Sequence, residues 1–257
     1  MSELLQLIST DFDGTLHDDF SEPRAPREVF EILRRFQKRG GTWVVNTGRT
    51  LESILAALQE LNLPSMPDYL VVVEREVHVL KGFSYQEVTD WNEPCRRDHD
   101  QLAARMADRV ESVSQSIREQ FGAFVAGDPW SPIGITARSA EDARQIERVI
   151  ESAFSDVEEL ALMGNDIYAR TCHRAYHKGS ALRHICMKLG VEPAFVACFG
   201  DNINDLPMLQ PSVAMTLGCP ANALSEVKEA VLGYGGKVAG EVAGQGTYEI
   251  LSTLPLL

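Results

Sequence analysis

The chain has 257 residues and a net charge of −13, enough length for one large domain or two modest ones. An acidic surface of that size repels nucleic acid and anionic membrane, so neither is an expected partner. No run approaches about 18 uninterrupted apolar residues, which excludes a helical membrane span. The start lacks the basic-then-apolar pattern of a secretory signal, and Cys95, Cys172, Cys186, Cys198 and Cys219 are scattered without a CxxC pair. A reducing, cytoplasmic setting is the expectation.

Residues 4–9 (LLQLIS) predict a strand, followed by a polar loop with Pro23 and Pro26. A helix is expected from about Pro26 to Arg39, with Val29, Leu33 and Phe36 on one face and Gly40-Gly41 stopping it. TWVVN (42–46) is a second strand. Thr50 is placed to cap a helix carrying Leu51, Ile54, Leu55, Leu58 and Leu61. YLVVV (69–73) is apolar without alternation, the mark of a strand buried on both faces of a parallel sheet. The order β-α-β-α-β predicts a doubly wound, Rossmann-like α/β sheet.

From about residue 80 the pattern changes. A long helix is expected over roughly 98–121, with Leu102, Met106, Val113 and Ile117 in phase. Strand-like runs follow at 123–127 and 132–138, then a helix opened by Ser139 and Asp142 in a capping-box-like arrangement. Two more strand-like runs cover 157–163 and 166–170. Strands in pairs without intervening helices predict an antiparallel sheet with two helices on one face. After Lys178 the first style returns, with a helix at 179–189 ended by Gly190, strands at 194–199 and 212–217, and helices at 221–231 and from about 247. The expected organisation is an α/β core, 1–79 and 175–257, with an α+β domain, 80–174, inserted between its pieces.

In open α/β sheets, sites form beyond the carboxyl ends of the parallel strands. Asp11 and Asp13 follow the first strand, Asn46-Thr47-Gly48-Arg49 the second, and Gly200-Asp201-Asn202-Ile203-Asn204-Asp205 the strand at 194–199; Lys178-Gly179 starts the helix before it. Asp11 and Asp13, two apart, are expected to face one small space that Asp201 and Asp205 join. Four carboxylates in one place repel unless a cation or protons intervene. An oxygen-only ligand set favours a hard ion, Mg2+ first among them. With a lysine and a threonine hydroxyl nearby, such a set suits phosphoryl transfer through an aspartyl phosphate, a second carboxyl moving the proton. Gly14 permits a tight turn close to the phosphoryl oxygens. DxDG alone also fits a calcium loop, but counting from Asp11 the sixth position is Leu16 where an EF-hand requires Gly.

The four segments together resemble the motifs of the haloacid dehalogenase-like superfamily of magnesium-dependent phosphatases: DFDGTL at 11–16, Thr47 in NTGR, Lys178, and GDNIND at 200–205. The segment between the second and third motifs is similar to the αβ-sandwich cap of the Cof-type and sucrose-phosphatase-like branch. The resemblance implies that Asp11 is the nucleophile and a metal ligand. Asp13 would be the general acid/base, its backbone carbonyl on Mg2+. Thr47 with Gly48, Lys178 and Asn204 would bind the phosphoryl oxygens. Asp201 would ligate the metal, and Asp205 would support the metal or Lys178. Transport ATPases of the superfamily carry Thr where this chain has Asp13. Relatives often have a small pair such as Asn-Gly after the third core strand, where this chain has Glu74-Arg75-Glu76.

In the inserted domain, alternation puts Ile133, Ile135, Ile167, Ala169, Leu160 and Leu162 on a buried face. Thr136, Arg138, Asp166, Tyr168 and Arg170 then share the other face. The resemblance turns that face to substrate and makes Arg138, Tyr168 and Arg170 candidate specificity residues. Cys172, His173 and His177 match no common zinc spacing and read as a hinge loop. Trp130 is read as a lid aromatic or a packed turn. The expected activity is Mg2+-dependent hydrolysis of a small phosphate monoester, with a sugar phosphate the leading substrate. The alternatives are a sugar-phosphate mutase or phosphotransferase, and a non-catalytic phosphometabolite-binding protein.

Overall fold

A computed structural model of the chain describes residues 4–256. Its contacts divide into two compact units, residues 1–91 with 177–257, and residues 92–176.

In the first unit the elements run β1 (Leu7–Thr10), α1 (Arg27–Lys38), β2 (Thr42–Asn46), α2 (Leu51–Glu60), β3 (Tyr69–Val72), β4 (Glu76–Lys81) and β5 (Ser84–Glu87). Helix α3 (Thr89–Phe121) leads into the second unit, made of β6 (Phe124–Asp128), β7 (Ser131–Thr136), α4 (Ala140–Ala153), β8 (Leu160–Asn165) and β9 (Tyr168–His173). The first unit resumes with α5 (Lys178–Leu189), β10 (Val196–Phe199), β11 (Thr216–Cys219), α6 (Ser225–Gly233), β12 (Lys237–Val238) and α7 (Ala243–Leu251).

The core sheet has the order β12-β11-β10-β1-β2-β3-β4-β5, parallel from β12 to β3, with β4 and β5 added antiparallel. Its central strands are apolar on both faces because helices cover both. Ile8, Val45, Leu70 and Phe199 pack with Val29, Leu33 and Phe36 of α1, Ile54 and Leu58 of α2, and Ile250 of α7. Their neighbours Leu7, Val44, Val71 and Cys198 pack with Leu182 and Ile185 of α5 and Val227 and Val231 of α6. Adjacent residues on a strand point to opposite faces, so two cores are built from one set of strands.

The second unit is a four-stranded antiparallel sheet, β6-β7-β9-β8. One face buries Val125, Ile133, Ile135, Leu160 and Ala169 against Leu102, Met106 and Ile117 of α3, Ile146 and Ile150 of α4, and Phe154 just past the end of α4. Cross-strand pairs place Phe124, Thr136 and Tyr168 in one row, with Gly134, Arg170 and Met163 in the next.

Several expectations change. The hairpin β4–β5 belongs to the core sheet, so the expected boundary after residue 79 falls inside β4; the division lies after Trp91, and the second after Tyr176 rather than at 174/175. The strand expected at 212–217 starts only at Thr216, since Val213 and Ala214 are buried within a turn. Strand β7 ends at Thr136, so Arg138 is beyond the sheet face assigned to it, and its Nε donates to Gly122 O at 3.2 Å. Asp166 and Ile167 form the β8–β9 turn, with Asp166 at φ 54°, and belong to neither face.

Candidate active site

Strand β1 lies between β2 and β10. The chain therefore winds outward in opposite directions on its two sides, leaving a crevice past the carboxyl ends of β1 and β10. Asp11 directly follows β1, its N–H donating to Phe199 O of β10 at 2.8 Å. Asp201 is two residues beyond β10. A 3-10 turn at Ile203–Asp205 then brings Asp205 back beneath it, where its Oδ2 accepts from the N–H groups of Asp201 (2.9 Å) and Asn202 (3.0 Å).

Lys178 joins the segments. Its side chain is fully buried, and Nζ donates to Asp11 Oδ1 at 2.7 Å and to Asp205 Oδ1 at 2.6 Å. It stands at the first turn of α5, whose first residues are packed tightly: a Cβ on Gly179 would lie 1.9 Å from Pro207 O. His177 caps the helix, its Nδ1 accepting from Gly179 N (3.1 Å) and Ser180 N (3.2 Å). Asn46 at the end of β2 donates to Lys178 O at 3.0 Å, tying β2 to the same point.

Carboxylate oxygens of Asp11, Asp201 and Asp205 lie within 4.8 Å of one another. Full charges that close repel by about 3 kcal/mol at an effective dielectric near 20. Burial raises the Asp11 carboxyl well above its ordinary range, Asp205 and Asp201 add to this, and Lys178 opposes it. Burial and Asp205 likewise push Asp201 to about 6, with Thr15 Oγ1 donating to its Oδ1 at 2.8 Å and pulling the other way. Burial also disfavours the charge on Lys178, but Asp11 and Asp205 outweigh it and raise that group. One lysine leaves the carboxylates undercompensated, and their oxygen-only donor set fits a hard divalent cation. Both oxygens of Asp205 are taken by Lys178 and backbone N–H groups, so its place is behind the cluster, holding the lysine and the loop.

Asp13 does not join this cluster. It lies past the strand in a turn closed by Gly14 N donating to His17 O at 2.7 Å, and its carboxylate groups instead with His17 and Asp19. The expectation of four carboxylates in one space fails because β1 ends at Thr10, so strand alternation does not apply to residues 11 and 13. Gly14, at φ 76°, is required twice over: a Cβ there would also lie 2.4 Å from Asp201 Oδ2. Both Asp13 oxygens accept from Arg49, from Nε at 2.8 Å and Nη2 at 2.6 Å.

Thr47 is buried, its Oγ1 accepting from Arg49 N at 3.1 Å. Beside it, Val73 (φ 44°) and Glu74 (φ 69°) hold left-handed conformations that are uncommon for Glu and an outlier for a β-branched residue. This turn buries the Glu74 carboxylate near Gly48, where its Oε1 accepts from Asn204 Nδ2 at 2.8 Å. The amide expected on phosphate is thus held by Glu74.

Thr15, Arg49 and Glu74 are site residues with no role expected from sequence. Thr15 and Arg49 lie inside the DFDGTL and NTGR segments, whereas the partner of Glu74 lies 130 residues away. Tyr168 and Arg170 share the open face of the 92–176 unit as expected, with Tyr168 56% exposed. Of the group Cys172, His173 and His177, His177 belongs to the α5 cap. The His173 Nδ1 accepts from Ala175 N at 3.2 Å, a local turn contact.

The family profile described as haloacid dehalogenase-like hydrolase matches residues 102–233, and that of sucrose-6F-phosphate phosphohydrolase matches residues 4–123. The chain is 28% identical to the Bacillus subtilis (strain 168) protein named "Putative phosphatase YxeH", over 88% of this chain and 91% of that one. It is 25% identical to the phosphoglycolate phosphatase of Methanopyrus kandleri, over 88% of each. The solved sucrose-phosphatase of Synechocystis sp. PCC6803, in complex with sucrose and phosphate, shares the fold. It superposes with a TM-score of 0.71 at 17% identity, covering 97% of this chain and 98% of that one. Motifs, sheet order and profile agree, and the chain belongs to the haloacid dehalogenase-like hydrolases, in their phosphatase branch with an inserted αβ-sandwich domain.

Proposed function

We propose that this enzyme is a Mg2+-dependent phosphatase that hydrolyses a small, polar phosphate monoester, with sugar phosphates the first class to test, through an aspartyl-phosphate intermediate. The observation that carries the reading is the buried Asp11 carboxylate, held at the switch-point crevice by Lys178 beside Asp201. Asp11 attacks phosphorus as the bond to the ester oxygen breaks, and Asp13 gives that oxygen its proton. Water then attacks the phosphoryl group, Asp13 takes its proton, and the bond from phosphorus to Asp11 breaks to release inorganic phosphate. Lys178, Thr47 and the Gly48 backbone bind the phosphoryl oxygens, and Asn204, held by Glu74 through one amide N–H, offers them its second.

Asp11, Asp201 and the backbone carbonyl of Asp13 would hold the metal. Mg2+ supplies charge neutralisation between the carboxylates and the phosphoryl oxygens. The 92–176 unit is assigned substrate recognition, with Tyr168 and Arg170 on its open face. The cysteines are free thiols, in keeping with a reducing cytoplasm, and among the described residues no helix is long and apolar enough to cross a membrane.

The test is turnover of a panel of phosphate monoesters with Mg2+ and with EDTA, by wild type and Asp11→Asn. Release of inorganic phosphate by wild type with Mg2+, lost at least about a thousandfold in the variant with folding intact, is expected. Near-wild-type turnover by Asp11→Asn would overturn the mechanism. Conversion to an isomeric ester without free phosphate would make the enzyme a mutase.

A further inference from the structure

The turn after β1 carries Asp13, the proton donor of the proposed reaction. Arg49 holds its carboxylate, but its main chain depends on how the turn itself is anchored. Inside the turn the N–H groups are met locally. Gly14 N donates to His17 O at 2.7 Å, and the N–H groups of Leu16 and His17 donate to Phe12 O at 2.8 and 2.9 Å. The carbonyls of Gly14 and Thr15 find their partners far along the chain instead. Asn222 Nδ2 donates to Gly14 O at 2.8 Å, and Thr247 Oγ1 donates to Thr15 O at 2.6 Å.

Asn222 lies in the loop after β11 and uses both ends of its amide. While Nδ2 holds Gly14, Oδ1 accepts from Ala243 N, at the start of α7, at 2.7 Å. Ala243 has φ 44°, a left-handed conformation uncommon for a residue with a Cβ. One partner is a carbonyl and the other an N–H, so the amide has a single satisfying orientation. Two residues on, Leu224 N donates to Asp201 O at 2.9 Å. One short segment thus grips both the turn of Asp13 and the loop of Asp201.

Gly14 is where such a grip matters most. Its φ of 76° and the closeness of Asp201 exclude a side chain there. The residue next to the acid is therefore the most freely jointed type, and nothing of its own restrains it. A proton donor must come within about 3 Å of the ester oxygen, and a misplacement of about 1 Å can cost on the order of a hundredfold in rate.

We propose that Asn222 is a positioning residue. By tying the Gly14 carbonyl to the start of α7, it sets the main chain of Asp13 and with it the proton transfer to the leaving group. This rests on the phosphatase reading above and gives the loop after β11 a part in it. Losing the tie falls on proton transfer rather than on phosphoryl binding, which Lys178 and Thr47 provide.

The experiment measures kcat/KM, with Mg2+, for phenyl phosphate and p-nitrophenyl phosphate in wild type, Asn222→Ala and Asn222→Asp. The two esters are similar in shape, but phenoxide is the poorer leaving group and depends more on receiving a proton. Asn222→Asp keeps an acceptor for Ala243 N and loses the donor to Gly14 O. Both variants are expected to lower the phenyl-to-nitrophenyl ratio at least about fivefold, a part of the roughly hundredfold or more that a positioned acid contributes. The Asn222 side chain is exposed, and the ratio does not depend on the fraction of enzyme that is folded. A wild-type ratio in Asn222→Ala, or in Asn222→Asp, overturns the proposal while the phosphatase reading stands. Turnover of the nitrophenyl ester alone by wild type does the same, because no acid then assists the leaving group. No Mg2+-dependent turnover of either ester overturns both.

Discussion

Lys178 shows how much one side chain can hold. It is fully buried between Asp11 and Asp205, and without it two buried carboxylates would face each other unpaired. Removing one partner of a buried ion pair costs about 3–5 kcal/mol. Lys178→Met is therefore expected to lose that much stability at pH 7, together with turnover. The loss should shrink in mild acid, because burial already raises Asp11 and a protonated carboxyl needs no counter-charge. Urea denaturation at neutral and mildly acidic pH measures this, and a variant as stable as wild type at pH 7 would contradict it. Glu74 is another matter of single residues. Two consecutive left-handed residues, Val73 and Glu74, are maintained to bury a carboxylate that fixes the Asn204 amide. Nothing in the string VVVEREV announces this, since the strain is imposed by contacts made far along the chain.

At the scale of elements, α5 is the clearest case. Its C-terminal Gly190, at φ 67°, is readable from sequence as a left-handed stop. Its N-terminus depends on His177, an unusual cap that acts only as the neutral ring. Burial, with Arg183 and Arg75 in support, pushes His177 down to about 4, below its unfolded value of about 6.5. The folded state thus resists the proton that the unfolded state accepts, and this contribution is complete above about pH 6.5 and lost as pH falls toward 4. His177→Asn keeps a capping acceptor without titrating, so its melting temperature should fall less than that of wild type over the same range. Parallel slopes in the two proteins would rule this cap out as the cause. The β4–β5 hairpin marks the opposite limit. EVHVLK is short and half polar and SYQE is polar, and they become part of the sheet only because β3 offers an edge to β4 and β4 in turn offers one to β5.

For the whole molecule, the site is a meeting of segments separated by up to 190 residues of chain between Asp11 and Asp201. The sheet collects them at one crevice, and the resulting carboxylate cluster is a standing electrostatic cost. A divalent cation that relieves it must also stabilise the fold. Saturating Mg2+ is expected to raise the melting temperature, by an amount corresponding to about 2.7 kcal/mol at a hundredfold excess over Kd. EDTA should reverse the shift and Asp201→Asn should abolish most of it. An identical shift in Asp201→Asn would place the ion elsewhere.

The α/β core, the sandwich insert and the motif residues Asp11, Thr47, Lys178 and Asp201 are legible in the string of residues alone. Those are local matters: apolar runs mark buried strands, glycines mark stops, and polar clusters follow strand ends. That Asp13 stands apart from the carboxylate cluster in the grip of Arg49 emerges with the folded chain. So do the hold of Glu74 on Asn204, the pairing of Asp205 with Lys178, and the extension of the core through β5. Each of these depends on which distant groups compete for the same hydrogen bonds, and that competition exists only once the chain has closed.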